Sequence, residues 1–167
     1  SMNTASFFQG GGIANYLGYV DVRNNSLISN NHGDSSGGGI ASEYGQLSIS
    51  NSTIMHNTSA LTFGYGGGIY ATIGSLSLVE STVHDNNAEV GGGIYSEGSN
   101  VHIRQSTISM NVAGDQSDPI YNDGGGVHLL GCSASIYRST IRDNIGDNGG
   151  GIYHGHDSLE GSSITDP

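Results

Sequence analysis

The sequence predicts an all-β chain wound as a parallel β-solenoid of about six rungs, with three short strands in each. Three observations carry that reading. The string Gly-Gly-Gly-apolar begins at Gly10, Gly37, Gly66, Gly91, Gly124 and Gly149, at spacings of 27, 29, 25, 33 and 25 residues. From the first five starts, a constant block of 21 residues runs to an asparagine: Asn30, Asn57, Asn86, Asn111 and Asn144. Inside the blocks, apolar residues fall two apart and then break at Gly, Asn or Ser, which is a strand period and not a helical one.

The first strand of each rung follows the glycines and carries one inward aliphatic, in the column Ile13, Ile40, Ile69, Ile94, Val127 and Ile152. The second carries two, as in Leu47 and Ile49, Leu76 and Leu78, Val101 and Ile103, then Ala134 and Ile136. The third lies in Ser-Thr-Ile/Val-x-x-Asn, spelled "STIMHN", "STVHDN", "STISMN" and "STIRDN", with the looser "NSLISN" in the first block. Such strands are too short to be stable alone, and they bury their inward faces only by stacking in register about 4.8 Å apart. At roughly 1.5 to 3 kcal/mol per buried aliphatic, the columns supply a core although only 34% of residues are hydrophobic. Asn30, Asn57, Asn86, Asn111 and Asn144 are expected at one corner, as a ladder of side-chain amides. Ser52, Ser81, Ser106 and Ser139 are expected to form a similar polar file, satisfied by neighbouring carbonyls. An outward hydroxyl column is expected at Ser26, Thr53, Thr82, Thr107, Thr140 and Ser163.

Composition narrows the partners. The chain has 15 acidic residues against 4 Arg, no Lys and a net charge of -11, so neither nucleic acid nor an anionic lipid surface suits it. No apolar run approaches a membrane span. Cys132, the single cysteine, allows no internal disulfide.

The GGGI and GGGIY strings followed by I-x-x-N resemble the right-handed parallel β-helix repeats of the pectate-lyase-like superfamily. They are most similar to the polymorphic outer-membrane protein repeats of bacterial surface proteins, whose paired motifs are Gly-Gly-Ala-Ile and Phe-x-x-Asn. The match covers nearly the whole chain. It departs at Gly39, Gly68, Gly93, Gly126 and Gly151, where that family commonly has alanine, and at aliphatics such as Ile54 and Ile108 in place of Phe. The resemblance implies a right-handed β-helix in a secreted or cell-envelope protein. It does not select an activity, because this repeat serves adhesins, autotransporter passengers, lyases, hydrolases and epimerases alike.

Residues 1–2 read as a vector scar and 3–167 as a single β-helix domain, a segment of a longer solenoid. Asn3-Thr4-Ala5 matches Asn86-Asn87-Ala88 and Asn111-Val112-Ala113, and "GSSITDP" imitates "NSTIMHN". Both ends are therefore expected at the same point of a rung, where open strand edges would otherwise invite end-to-end self-association.

Length varies at one corner only, between each asparagine and the next triplet: six, eight, four, twelve and four residues. Insertions on one side of a solenoid mark its binding side. The loops "TSALTFGY" and "VAGDQSDPIYND" flank the short "NAEV" and would wall a notch about 10 Å wide. Alternation places Ala14, Ala41, Tyr70, Tyr95, His128 and Tyr153 outward beside a glycine column, a flat platform for a sugar ring, with Tyr65 and Tyr121 adding to it. The alternative is that these rings stack on one another. Asp115, Asp118 and Asp123 are the calcium candidates, since loop oxygens suit a hard cation. No other cofactor is called for.

Catalytic constellations are thin. Glu43 and Glu97 share a column with Thr72 between them, and Asp21 faces Ser48 and Ser77. His102, Arg104 and Tyr137, with Arg138 and Gln105 near them, form the densest group a lyase could use. The predicted function is a non-enzymatic secreted or cell-surface scaffold for adhesion or carbohydrate binding. Its partner is a glycan or a surface protein, with no nucleic acid and no direct membrane insertion. Two alternatives stay open: a carbohydrate-active enzyme, lyase or hydrolase, of the pectate-lyase-like superfamily, and a purely structural solenoid that stacks on itself.

Overall fold

The computed structural model describes residues 3–5, 10–60, 63–114, 123–155 and 163–165. Among these there is no helix; every strand pairs in parallel, and the sheets stack as a β-solenoid of about five turns. The three expected strands of each rung build three sheets. A glycine sheet holds Ile13–Tyr16, Ile40–Glu43, Ile69–Thr72, Ile94–Glu97, Val127–Leu130 and Ile152–Gly155 in that order. A long sheet holds Tyr19–Val22, Gln46–Ser50, Ser75–Val79, Asn100–Arg104, Ser133–Tyr137 and Ser163–Thr165. A hydroxyl sheet holds Leu27–Ser29, Thr53–Met55, Thr82–His84, Thr107–Ser109 and Thr140–Arg142. A fourth sheet of two- or three-residue strands follows the asparagines: Asn3–Ala5, Asn31–Gly33, Thr58–Ser59, Asn87–Ala88 and Val112–Ala113. Strands that short carry no alternation, so the pattern could not mark them.

The core is the set of inward columns in strict register. Ile40, Ile69, Ile94 and Val127 stack in the glycine sheet, Leu47, Leu76 and Val101 with Ile49, Leu78 and Ile103 in the long sheet, and Ile54, Val83 and Ile108 in the hydroxyl sheet.

Each of the four corners is turned by left-handed backbone, a single residue at the positions that follow. Between the glycine and long sheets the column is Leu17, Tyr44, Ile73, Gly98 and Gly131, and between the long and hydroxyl sheets it includes Asn51, Glu80, Gln105 and Arg138. Beyond the hydroxyl sheet it is Asn30, His56, Asp85, Met110 and Asp143. Only the corner before the glycine sheet uses glycine from Gly37 to Gly149, and a Cβ on Gly37 would lie 2.3 Å from the Ile40 carbonyl oxygen. Ile73, with φ of 51° and 54% exposed, is a β-branched residue in a conformation that disfavours it. Ile73→Gly is expected to raise unfolding stability by about 0.5 to 1 kcal/mol, because relief of strain exceeds the added chain entropy. A denaturant midpoint at or below that of the parent would overturn this.

The first rung holds one more residue than the others. Val22 pairs with Ile49 but Leu27 with Thr53, and the extra residue is absorbed where Asn24 and Asn25 are both left-handed. Every later position in that rung shifts by one. Leu27, not Ser26, heads the threonine column and is 60% exposed, and Ile28 faces the core. Ser163 also leaves that column, since it pairs with Ser133 in the long sheet. The final strand thus answers to the second strand of a rung and not to "NSTIMHN".

The same shift corrects the asparagine ladder. Asn30 is an exposed corner residue, and the amide that joins the file is Asn31. The file runs Asn3, Asn31, Asn57, Asn86, Asn111, Asn144, with each Nδ2 donating to the next Oδ1 at 2.8 to 3.1 Å. From Asn31 to Asn111 the backbone N–H donates to that same oxygen. From Asn57 onward the second amide hydrogen goes to a hydroxyl-sheet carbonyl, such as that of Ile54 from Asn86 at 3.1 Å. Every polar side-chain atom of the buried amides Asn57, Asn86 and Asn111 is therefore used. Ser81, Ser106 and Ser139 accept from the backbone N–H of Ser52, Ser81 and Ser106, and each serine of that file donates to the carbonyl two residues earlier.

Candidate functional site

The glycine strip is not open surface. Gly38 lies against the backbone of Thr58, where an added Cβ would meet the Thr58 carbonyl carbon at 2.5 Å, and Gly67 meets Asn87 in the same way. The third glycines face the ladder: a Cβ on Gly68 would lie 2.7 Å from the Gly93 oxygen and 3.0 Å from Asn86 Nδ2. Gly37–Gly39, Gly66–Gly68, Gly91–Gly93 and Gly124–Gly126 are all buried. The chain leaving each asparagine folds back over the glycines, so the expected flat backbone beside the tyrosines is covered by the fourth sheet.

The outward aromatic column stands where alternation places it, in register from Tyr70 through Tyr95 and His128 to Tyr153. Its rings stack with centroids 5.5, 5.0 and 4.7 Å apart and interplanar angles of 11°, 16° and 23°. Such pairs add about 0.5 to 1.5 kcal/mol each beyond their burial. Their faces are consequently taken by one another, and Tyr95 and His128 are each only 6% exposed. Tyr65 reaches in from the loop before its triplet, 4.9 Å from the Tyr95 ring and 6.5 Å from that of Tyr70.

Beside this column lies a cleft of about 380 Å³, lined by Phe63, Tyr65, Glu89, Val90, Tyr95, Asp123, His128 and Leu130. It sits where the loop lengths place a notch. Phe63 and Tyr65 come from the eight-residue loop, Glu89 and Val90 from the short one, and Asp123 from the end of the twelve-residue one. Tyr65 bridges to Ser36 and Val90, and Asp123 to Asn148, so the residues just before the glycines continue the rung stacking into the loops. The Phe63 N–H donates to Glu89 Oε2, and Asn148 Nδ2 donates to Asp123 Oδ1 at 2.7 Å. Phe63, Glu89 and Val90 went unremarked in the sequence, because a loop residue outside the repeat has no column to betray it; Leu130, which ends a glycine-sheet strand opposite Glu97, went unremarked as well. Glu89 and Val90 stand in "NAEV", whose only signal was its shortness.

Electrostatics follow burial. Burial pushes the Tyr95 hydroxyl well above its ordinary value, and the Glu97 carboxylate adds to the rise while accepting its hydrogen bond at 3.1 Å. Tyr70 is raised by burial too, against a hydrogen bond with Thr72. Burial between the rings holds His128 below its ordinary 6.5, with the Asp123 carboxylate and a backbone hydrogen bond to Asp123 pulling the other way. His128 Nδ1 is buried without a hydrogen-bond partner among the described residues.

Because the unfolded chain binds this proton more readily than the fold does, the His128 contribution to stability is complete above about pH 6.5 and shrinks as pH falls toward its folded value. His128→Tyr, which extends the tyrosine stack, is expected to lose less stability than the parent between about pH 6.5 and 4.5. Denaturant midpoints across that range test it, and parallel curves for the two proteins would refute it.

Tyr121, Asp115 and Asp118 lie outside the described residues, so Asp123 is the only placed member of the calcium trio. Among the described residues, no group of three or more His, Cys, Asp or Glu could hold a metal ion. Glu43 and Glu97 flank Thr72 in register. On the long sheet His102 and Arg104 line a groove of about 320 Å³ with Ser77, Ser135 and Tyr137, and the Arg138 guanidinium stands 4.9 Å from the Tyr137 ring centre. Cys132 is buried. Comparison of the chain with protein-family models, curated proteins and solved structures finds no match.

Proposed function

We propose that this solenoid is a non-enzymatic carbohydrate-binding scaffold of the secreted or cell-surface kind, and that a sugar enters the cleft between the aromatic column and the loops. The observation that carries the reading is the lining. Phe63, 71% exposed, and the half-buried Tyr65 present apolar ring surface, while Glu89 and Asp123 offer carboxylate oxygens to hydroxyls. A small site of this kind needs a largely apolar wall and a few fixed polar groups, and about 380 Å³ lies in the range such sites occupy. The stacked column serves as the rigid back wall, since rings held by their neighbours lose little freedom when a ligand arrives.

The resemblance to surface-protein β-helix repeats supports the same compartment and leaves the activity to the lining of the cleft. Calcium belongs to the test and not to the premise, because two of its three candidate ligands are unplaced. Tyr65→Ala is expected to weaken glycan binding about tenfold or more on an array, with and without calcium, while leaving the thermal midpoint within a few degrees. Equal binding by parent and variant would remove this placement.

A further inference from the structure

We infer that the sugar this cleft selects carries a free amine, a glucosamine-type cation, in preference to its acetylated, neutral or acidic counterparts; this rests on the carbohydrate reading above. Among the described residues the lining holds two carboxylates, Glu89 and Asp123, and no Arg or Lys. Its one other titratable base, His128, is stacked between Tyr95 and Tyr153 and buried, which disfavours its cationic form.

The placement of positive charge over the whole chain agrees. There is no lysine, and all four arginines sit away from the glycine sheet. Arg104 ends a long-sheet strand, Arg142 ends a hydroxyl-sheet strand, and Arg23 and Arg138 lie in the turns between those two sheets. A uronate or other acidic sugar would enter a cleft where nothing neutralises it, under the field of a chain of net charge -11.

An ammonium has three donors and needs acceptors. Glu89 commits Oε2 to the Phe63 N–H and Asp123 commits Oδ1 to Asn148, which leaves Glu89 Oε1 and Asp123 Oδ2 without a hydrogen-bond partner among the described residues. The exposed Phe63 ring and the Tyr65 ring add a quadrupole attraction that a cation feels and an acetamide does not. A neutral sugar would meet the same oxygens with uncharged hydroxyl donors alone, without the charge that strengthens the bond.

The test is calorimetric titration of the whole chain with four trisaccharides: chitosan trimer, chitin trimer, cellotriose and trigalacturonate. It is run near pH 6 and again near pH 9, where an amine of this type has lost its proton. The expected result is that chitosan trimer binds about tenfold more tightly than chitin trimer near pH 6 and loses that advantage near pH 9. Glu89→Gln, which keeps an oxygen for the Phe63 N–H, and independently Asp123→Asn, are expected to collapse the ratio. Asp143→Asn, at a corner beside Arg142, should keep it. Chitin trimer or cellotriose binding as tightly as chitosan trimer, or trigalacturonate binding best, overturns the amine preference and leaves the carbohydrate reading standing. If none of the four binds, both readings fall together.

Discussion

Asn86→Asp is expected to destabilise the chain by about 3 to 5 kcal/mol. Asn86 is 1% exposed and makes four side-chain hydrogen bonds: Oδ1 accepts from the backbone and side-chain nitrogens of Asn57, and Nδ2 donates to the Ile54 carbonyl and to Asn111 Oδ1. A carboxylate keeps the two acceptor bonds and loses both donors. It then sets a charge against two oxygens that have no water to turn to. The deficit should narrow as pH falls, because a protonated carboxyl regains one donor. Asn30→Gly is the contrasting variant. Sequence alignment puts Asn30 in the same ladder, yet it is an exposed corner residue with φ of 55°, and its loss should change stability by no more than about 0.5 kcal/mol. Denaturant titrations of the two variants decide between the alignment and the register, and an equal cost for both would sink the assignment of Asn31.

Gly68→Ala is the second large effect, at about 3 kcal/mol or more. One methyl group would have to displace the Gly93 carbonyl, which accepts from the Gly68 and Ile69 N–H groups, or the Asn86 amide, which is held to Asn111 on the next rung. Gly151→Ala, at the same place in the repeat, meets only Ile141 Cγ2 at 3.6 Å and should be neutral or slightly stabilising. Thermal melts of the two proteins make the comparison. Similar midpoints would mean that the third glycine is not spaced for the ladder.

The columns were legible because stacking repeats a chemical demand at each rung: Ile40, Ile69 and Ile94 answer one another in sequence as they do in space. The aromatic column was legible for the same reason, down to its order. Two things were not. A residue inserted within the first rung leaves the glycine-to-asparagine count intact only because Asn30 and Asn31 are adjacent, so counting could not tell which amide turned inward. The covering of the glycines was hidden too, because it depends on two-residue strands without periodicity. Glycine placed for close approach of backbone looks the same in a sequence as glycine left bare for a ligand. The cleft was half legible, since loop lengths located it while its acidic and apolar lining came from residues outside the repeat.

The amide file has a direction. From Asn3 to Asn111 each Nδ2 gives one hydrogen to the Oδ1 of the next, higher-numbered amide, so the side-chain dipoles add along the axis instead of cancelling. A line of such amides has an acceptor at one terminus and donors at the other. Two of these lines can be joined only head to tail, and pairing like termini would set oxygen against oxygen or hydrogen against hydrogen. Any assembly that prolongs the file must therefore be polar and open-ended, built by translation along one axis, and a closed two-fold pair cannot prolong it.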